Sequence, residues 1–437
     1  MIRNMKIFKN KQVKNCVWLV FEQVFNMIIS LIVSMLTSRY LGPKNFGTLK
    51  YVAALITFVT SIASLGMDSV IIKKLIENPK EENLYLGSCI GFRFISSIIS
   101  SIFVFIFVYF FDGKDSIKLI LVLIQTWQLI LHSFQILEIW FQRYSISKYI
   151  CIAKIIACLI VSIYKIYLLV NSKSIIWFAF SNVILEMTIS LISYIFYRVK
   201  SKQRLKFSFS KGMEVLKESY HFIISGLMVA IYTQMDSIMI SKFLSDYEVG
   251  LYNSAISICG MWLFIPMAIL NSFKPKIIEY KKENEELYIR RLEQLYSCVI
   301  WISIIFSIFV TCFSKIIILI LYGKKFIKAN ATLKIAVWFE VFSIIGCARS
   351  IWILCENKNK YVKYYLFIGA IINIVLNYFL IQNYGINGAA IATLITQFVT
   401  SIIAPLCFKA TRPFTKIVLN SIFFYWKWGC NKNGKKS

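Results

Sequence analysis

Long runs of apolar residues follow one another through most of the sequence, and they constrain the fold more than any other feature. A helix needs about 20 apolar residues to cross a bilayer. Twelve runs of about that length occur, over about 16–38, 46–67, 86–111, 118–140, 149–170, 175–197, 219–243, 250–272, 296–321, 332–354, 362–382 and 386–408. Only 16% of the 437 residues are charged, whereas water-soluble domains average about 25%. We therefore predict an all-α polytopic membrane protein with about twelve transmembrane helices.

A short stretch recurs in the two halves of the chain. TSRYLGPKNFGTLKYVAAL at 37–55 is similar to ISKFLSDYEVGLYNSAISI at 240–258, an offset of 240 − 37 = 203. Each copy joins two apolar runs, as expected of an internal duplication in a transporter. We predict two six-helix lobes related by pseudo-two-fold symmetry, an N-lobe at 1–200 and a C-lobe at 201–437. The aromatic segment at 414–428 should lie at the membrane interface.

The distribution of Lys and Arg predicts the orientation. If the N-terminus is cytoplasmic, the inside segments carry about 33 of the 49 basic residues, as the positive-inside rule requires. Both termini are therefore expected in the cytoplasm, with an uncleaved first span in the cytoplasmic (inner) membrane. Because the net charge of +28 lies mostly in loops, it indicates orientation and not a nucleic-acid partner. The eleven cysteines are scattered, so no disulfide framework or zinc site is predicted.

Polar residues inside the spans recur at helical spacing. On the fifth span they fall within an arc of about 80° at 100° per residue, namely Cys151, Lys154, Cys158, Ser162 and Lys165. Similar stripes mark other spans: Gln128, His132, Gln135, Glu138 and Gln142; Asn182, Glu186, Ser190 and Ser193; Glu22 and Asn26; His221, Ser225, Tyr232 and Asp236; Arg93, Ser97 and Ser100. Charges at membrane depth usually face a hydrated space, so the stripes predict a shared polar cavity.

The charges on these stripes suggest two kinds of ligand. Cations suit phosphate or carboxylate, so the predicted substrate-binding residues are Arg93, Lys154, Lys165 and Arg349. A coupling H⁺ or Na⁺ could be held by Asp236, Glu22, Glu138 and His132. The alternative is a closed bundle with structural ion pairs, such as Arg93 with Glu22 or Lys154 with Glu138. Glu340 and Arg349 point to opposite faces of the tenth span, so at most one of them lines the cavity.

The sequence has no motif of an enzyme. It contains no GxxxxGK[ST] nucleotide-binding loop, no HExxH and no GxSxG. We predict no catalytic residues, no metal and no cofactor other than the coupling ion. Transport energy must then come from an ion gradient or from the substrate's own gradient.

Four stretches together resemble the bacterial polysaccharide flippases of the multidrug/oligosaccharidyl-lipid/polysaccharide exporter superfamily. They are RYLGPKNFG at 39–47, IWFQRYSISKY at 139–149, IYTQMDSIMISKFLSDYEVGLYNSA at 231–255 and INIVLNYFLIQNYGINGAAIATLITQF at 372–398. With the twelve spans, the resemblance covers nearly the whole chain. Asp236 occupies the usual acidic position of that family's seventh span.

This resemblance implies a V-shaped pair of lobes with a central cationic cavity and alternating access. The implied substrate is an undecaprenyl-diphosphate-linked oligosaccharide, moved from the inner to the outer leaflet. Membrane lipids and a polysaccharide polymerase are further candidate partners, and we expect a monomer. Two alternatives stay open: a cation-coupled exporter of small drugs from the same superfamily, and a membrane polysaccharide polymerase or ligase, which would need a larger external loop.

Overall fold

The computed structural model describes residues 11–113, 115–201 and 203–422, and all regular structure in these ranges is helical. The chain divides into two compact units, Met1–Ile238 and Met239–Ser437. The all-helical prediction is therefore confirmed for the described residues.

Eight helices begin in the first unit. They are α1 (Lys11–Ala63), α2 (Asp68–Glu77), α3 (Glu82–Phe111), α4 (Ser116–His132), α5 (Leu137–Arg143), α6 (Lys148–Val170), α7 (Ile175–Ser201) and α8 (Phe209–Phe243). Short 3₁₀ segments precede α3 at Pro79–Glu81 and α5 at Ser133–Ile136.

Seven helices follow in the second unit. They are α9 (Asp246–Trp262), α10 (Phe264–Glu283), α11 (Glu285–Leu321), α12 (Ala329–Cys355), α13 (Val362–Phe398), α14 (Ala404–Cys407) and α15 (Arg412–Ile422). A π-helical turn at Val399–Ile403 precedes Pro405, which cannot donate a backbone hydrogen bond.

Ten helical stretches of the described chain are long and apolar enough to cross a membrane. Two of them, Val17–Glu77 and Asn359–Cys407, have 61 and 49 residues, and each contains two of the twelve predicted spans. Their backbones leave helical geometry at Gly42 (φ 71°) and Gly385 (φ 59°), a region that favours glycine. The number of crossings and the N-in orientation stay predictions.

The repeated stretch breaks its helix at equivalent positions. In the first copy the break falls at Gly42. At the offset of 203, the matching residue is Ser245, which separates α8 from α9 with an extended backbone (φ −171°). Its hydroxyl accepts a hydrogen bond from the Glu248 backbone N–H at 3.4 Å. The two copies therefore share a bend that is made by different residues.

The chain between α7 and α8 is bound to the start of α3. The Lys206 N–H donates to the Asn83 carbonyl at 3.1 Å, and the Ser208 N–H donates to the Ser88 hydroxyl at 2.8 Å. A Cβ added at Gly87 would lie 2.4 Å from the Lys206 carbonyl oxygen, so only glycine permits this approach. These contacts explain why the first part of α8 belongs to the first unit, beyond the predicted boundary at residue 200.

In each unit, a cluster of buried apolar side chains lies near the predicted cytoplasmic end. In the first unit the fully buried Phe141 and Tyr197 belong to it, with Trp140 edge-to-face on Tyr197. In the second unit Phe414 of α15 packs beside Trp352. The described part of the predicted interfacial segment, up to Ile422, thus contributes to this core, and residues 423–428 lie outside the described residues.

Candidate functional site

The candidate site is a cavity of about 390 Å³ within the first unit. Both halves of α1 line it, together with α6 and α7. The lining side chains are Asn26, Ser30, Val33, Ser34, Lys50, Lys154, Cys158, Val161, Ser162, Lys165, Asn182, Leu185 and Ile189. Three lysines thus face one cavity whose walls are otherwise small, polar or aliphatic.

The polar stripe predicted on the fifth span lies along this cavity. Lys154, Cys158, Ser162 and Lys165 all line it, as residues spaced by three and four on one helix face should. On the facing helix, the Ser30 hydroxyl lies 3.9 Å from the Cys158 sulfur. This contact aligns α1 with α6, so that Asn26 lies level with Lys154.

Near one end of the cavity, a lysine is paired with acidic residues. The Lys154 ammonium donates to the Glu138 carboxylate at 2.8 Å. Lys154 also attracts Glu22 electrostatically, and the Glu22 carboxylate accepts a hydrogen bond from the Asn26 amide at 2.5 Å. One cation therefore faces two predicted ion-coupling carboxylates, and the Lys154–Glu138 ion pair considered as an alternative does form.

The other end of the cavity is positive. Lys50 and Lys165 both line the main cavity and a second one of about 110 Å³, together with Ser34 and Asn182. Within the described residues, no carboxylate lies within 4 Å of either ammonium. Two half-buried cations without a paired acid are costly inside an apolar helical unit, and a bound anion would offset that cost.

Sequence reasoning missed Lys50. It lies four residues into the second predicted span, directly after the polar loop, where a lysine is expected to extend toward the interface. A usable signal was present, because Phe46, Lys50 and Ala53 recur at helical spacing and line the smaller cavity together.

The fourth predicted span is not one regular helix. It changes to 3₁₀ geometry at Ser133–Ile136, which turns successive side chains by about 120° instead of 100°. In this region Gln135 donates to the Glu186 carboxylate at 3.1 Å. His132 Nδ1 lies 3.8 Å from the same carboxylate. His132 is therefore paired with Glu186 of α7 and is not among the residues that line the cavity.

Arg93 lies apart from the lysines. Its side chain is 2% exposed, and its guanidinium is 2.9 Å from the Asp68 carboxylate at the start of α2. The pairing with Glu22 considered as an alternative is not formed. Two guanidinium nitrogens of Arg93 are buried without a well-aligned hydrogen-bond acceptor. The structure thus places Arg93 in an ion pair between α2 and α3, outside the cavity.

Two further predicted site residues lie elsewhere in the chain. Asp236 is a buried residue of α8. Arg349, in the second unit, lies over the Tyr365 ring at 4.4 Å from its centroid and donates to the Thr400 carbonyl. Glu340, also on α12, is 3% exposed. The roles assigned to Asp236 and Arg349 stay predictions, as does a cavity shared by the two halves.

Comparison with known proteins places these features in context. A family profile described as polysaccharide biosynthesis protein matches residues 12–280, and the profile MatE matches residues 222–379. The chain is 24% identical over 199 residues to the probable low-salt glycan biosynthesis flippase Agl15 of Haloferax volcanii. That alignment covers 45% of this chain and 42% of the relative, so the matched part is less than half of that protein.

Two further similarities extend over nearly the whole chain. The capsular polysaccharide biosynthesis protein CapF of Staphylococcus aureus is 22% identical over 407 residues, covering 89% of this chain and 97% of the relative. The solved structure of the lipid II flippase MurJ in an inward closed conformation matches with a TM-score of 0.74 at 16% identity. The superposition covers 95% of this chain and 93% of that chain. At 16% identity, the similarity shows a shared fold and not a shared function.

Proposed function

Because this chain belongs to the polysaccharide biosynthesis protein family, whose profile matches residues 12–280, we propose that it is a lipid-linked oligosaccharide flippase. It moves an undecaprenyl-diphosphate-linked oligosaccharide from the inner to the outer leaflet of the cytoplasmic membrane. Two relatives support this reading, since one is named a probable glycan biosynthesis flippase and the other a capsular polysaccharide biosynthesis protein. The first of these names favours transport over catalysis.

The observation that carries the proposal is the positive end of the cavity. Lys50 and Lys165 line one cavity in an apolar helical unit, and no described carboxylate pairs with them. A diphosphate offers several strong acceptor oxygens and at least two negative charges. Binding it would offset the cost of holding two ammonium groups at membrane depth.

The cavity also meets the physical requirement for moving a sugar across a bilayer. Each unpaired polar group placed in hydrocarbon costs several kcal/mol, and the apolar core is about 30 Å thick. Hydroxyl and amide side chains such as Ser34, Ser162 and Asn182 provide partners for sugar hydroxyls inside the unit. The polyprenyl tail, being apolar, has no such need and stays in lipid.

Ion coupling is part of the proposal. Glu22 and Glu138 lie beside Lys154, so a cation that enters the cavity would compete with that lysine for them. His132 beside Glu186 and the buried Asp236 are further candidates for binding H⁺ or Na⁺. We also propose that the protein acts as a monomer and delivers its product to a polysaccharide polymerase.

A flipping assay tests the proposal. The purified protein is reconstituted into vesicles that contain an undecaprenyl-diphosphate oligosaccharide with a fluorophore on its sugar. A membrane-impermeant reductant then quenches the label in the outer leaflet. We expect quenching to exceed the outer-leaflet share found in protein-free vesicles. Equal quenching in both preparations would overturn the proposal.

A second candidate function is the export of small cationic drugs, which the MatE match to residues 222–379 favours. Such a substrate would be repelled by Lys50 and Lys165, so the first unit argues against it. Efflux of a cationic dye from the same vesicles, without any flipping of the labelled oligosaccharide, would favour this candidate.

A further inference from the structure

The helical hairpin formed by α10 and α11 lines an open cavity of about 280 Å³ in the second unit, in which Lys276 and Arg291 are exposed. The hairpin turns at Asn284, whose side-chain oxygen accepts a hydrogen bond from the Leu287 N–H at 3.0 Å. This N-cap ends one helix and starts the next without an intervening loop. The two helices therefore run side by side away from the turn, and the cavity lies between them.

Each helix presents one face to the cavity. From α10 come Ile269, Phe273, Lys276, Ile277 and Tyr280, and from α11 come Arg291, Gln294, Leu295 and Cys298. Both sets follow the three- and four-residue spacing of a single helix face. The cavity is thus built by two regular helices and not by a loop.

The cations of this cavity lie toward one end. Lys276 and Tyr280 on α10, and Arg291 on α11, lie in the half nearer the turn at Asn284, with Ile277 between the two α10 residues. Ile269 and Cys298 are the lining residues farthest from it. Ile269 and Lys276 are seven residues apart, which is about 10 Å along a helix. A ligand that fills the cavity therefore meets cations at one end and an apolar wall at the other.

The two cations are not neutralised by nearby acids. In the described part of the chain, neither Lys276 nor Arg291 has a carboxylate within 4 Å. The Arg291 guanidinium donates to the neutral Gln294 side chain at 2.9 Å.

Two acidic residues of the same hairpin are engaged elsewhere. Glu285 accepts from Lys281 at 2.7 Å, and Lys281 also binds Glu356 at 2.7 Å. Glu293 accepts from the Asn420 amide at 3.0 Å. These contacts leave the positive charge of the cavity available to a ligand.

We propose that this cavity binds the phosphate-bearing headgroup of an anionic glycerophospholipid. Lys276 and Arg291 hold the phosphate, the Tyr280 hydroxyl can bond the glycerol region, and the start of an acyl chain lies along Phe273 and Leu295. Basic pockets between membrane helices on the cytoplasmic side bind anionic headgroups in this way. The predicted topology puts the turn, within 274–291, on that side, and the site is independent of the proposed transport activity.

The test is native mass spectrometry of the full-length protein released from nanodiscs that contain phosphatidylglycerol. The test variant is K276Q/R291Q. The matched control is K274Q/R290Q, which removes the same two charges from neighbouring positions that do not line the cavity. We expect one tightly held phosphatidylglycerol per chain, with at least tenfold weaker retention in the test variant and unchanged retention in the control.

Several outcomes would overturn the proposal. Equal loss of lipid in both double variants would mean a general charge effect, and unchanged lipid in both would mean that the cavity is not the site. Equal retention of phosphatidylcholine would remove the requirement for an anion. Displacement of the bound lipid by millimolar glycerol phosphate would mean an anion site that does not use the acyl chain. Circular dichroism and the unfolding temperature establish that each variant is folded.

Discussion

The Lys154 ammonium lies 2.8 Å from the Glu138 carboxylate, and this ion pair divides the cavity of the first unit into two electrostatic regions. Around the pair, one lysine faces the carboxylates Glu138 and Glu22. Eleven residues farther along α6, Lys165 shares its space with Lys50. The cationic stripe predicted from the sequence therefore has one part that faces carboxylates and one part that does not, and the two should respond differently to substitution.

Replacing Lys50 or Lys165 by Gln should reduce oligosaccharide flipping. Each charged hydrogen bond to a phosphate contributes about 1.5–3 kcal/mol, so each single variant should lose about tenfold or more in substrate affinity. The flipping rate at low substrate measures this loss.

Lys173→Gln is the control for the lysine variants, since Lys173 is an exposed residue after α6. Unfolding temperatures show whether each variant is folded. Full flipping by both single variants and by the double variant would remove Lys50 and Lys165 from the substrate site.

Lys154→Gln should lower the stability of the protein as well as its activity. Loss of the lysine leaves the Glu138 carboxylate, 15% exposed, without its partner, at a cost of about 1–3 kcal/mol. The double variant K154Q/E138Q should recover most of the unfolding temperature but not the flipping rate. Recovery of both would mean that the pair is purely structural.

Asp236→Asn should weaken the dependence of flipping on an ion gradient. The amide keeps the size of the carboxylate but can neither carry a proton nor neutralise Na⁺. Flipping is measured with and without a pH or Na⁺ gradient. Asp246→Asn is the control, because Asp246, which accepts from the Ser241 hydroxyl, lies between two predicted spans. An unchanged response of the Asp236 variant would exclude this residue from coupling.

Gly42→Ala should destabilise the first unit through the backbone alone. Nothing lies within 4 Å of an added Cβ, but φ of 71° costs a residue with a side chain about 1–2 kcal/mol. Gly260→Ala is the matched control, since that site is helical and equally open, and it should stabilise by up to about 1 kcal/mol. Thermal unfolding in detergent compares them, and shifts of the same sign would contradict the prediction.

Cysteine labelling can test the orientation of the chain. The exposed cysteines among the described side chains, Cys312 and Cys407, are first replaced by Ser, together with Cys16 and Cys430. An impermeant maleimide added to intact cells should then label Tyr384→Cys, which is 61% exposed, and should label Arg204→Cys only after lysis. The opposite pattern would reverse the predicted topology.

The features predicted correctly from the sequence are those carried by local periodicity. The stripe on α6 could be found because polar residues at spacings of three and four stand out in an apolar run, and the packing of α6 then turns that face toward α1 and α7. The boundary between the first two predicted spans has a different local signal, since Gly42 and Pro43 disfavour a continuous helix.

The sequence did not predict which polar side chains lie beside each other on different helices. Arg93 carries a stripe-like pattern, yet its partner Asp68 lies in the segment between two spans, and no spacing rule connects them. Lys50 was missed because a lysine near the start of a span usually extends to the interface. Only the packing of the second half of α1 against α6 brings it beside Lys165.

The shared bend of the two copies bears on how the halves have diverged. In one copy the bend depends on a residue without a side chain, at Gly42, and in the other on a serine that caps the next helix. A glycine with positive φ and a serine N-cap can each produce the bend. A mutational scan should therefore find every replacement of Gly42 destabilising, whereas Ser245 should accept Asn, Asp or Thr. Similarity between the halves will therefore be easier to detect by comparing backbone conformations than by aligning sequences.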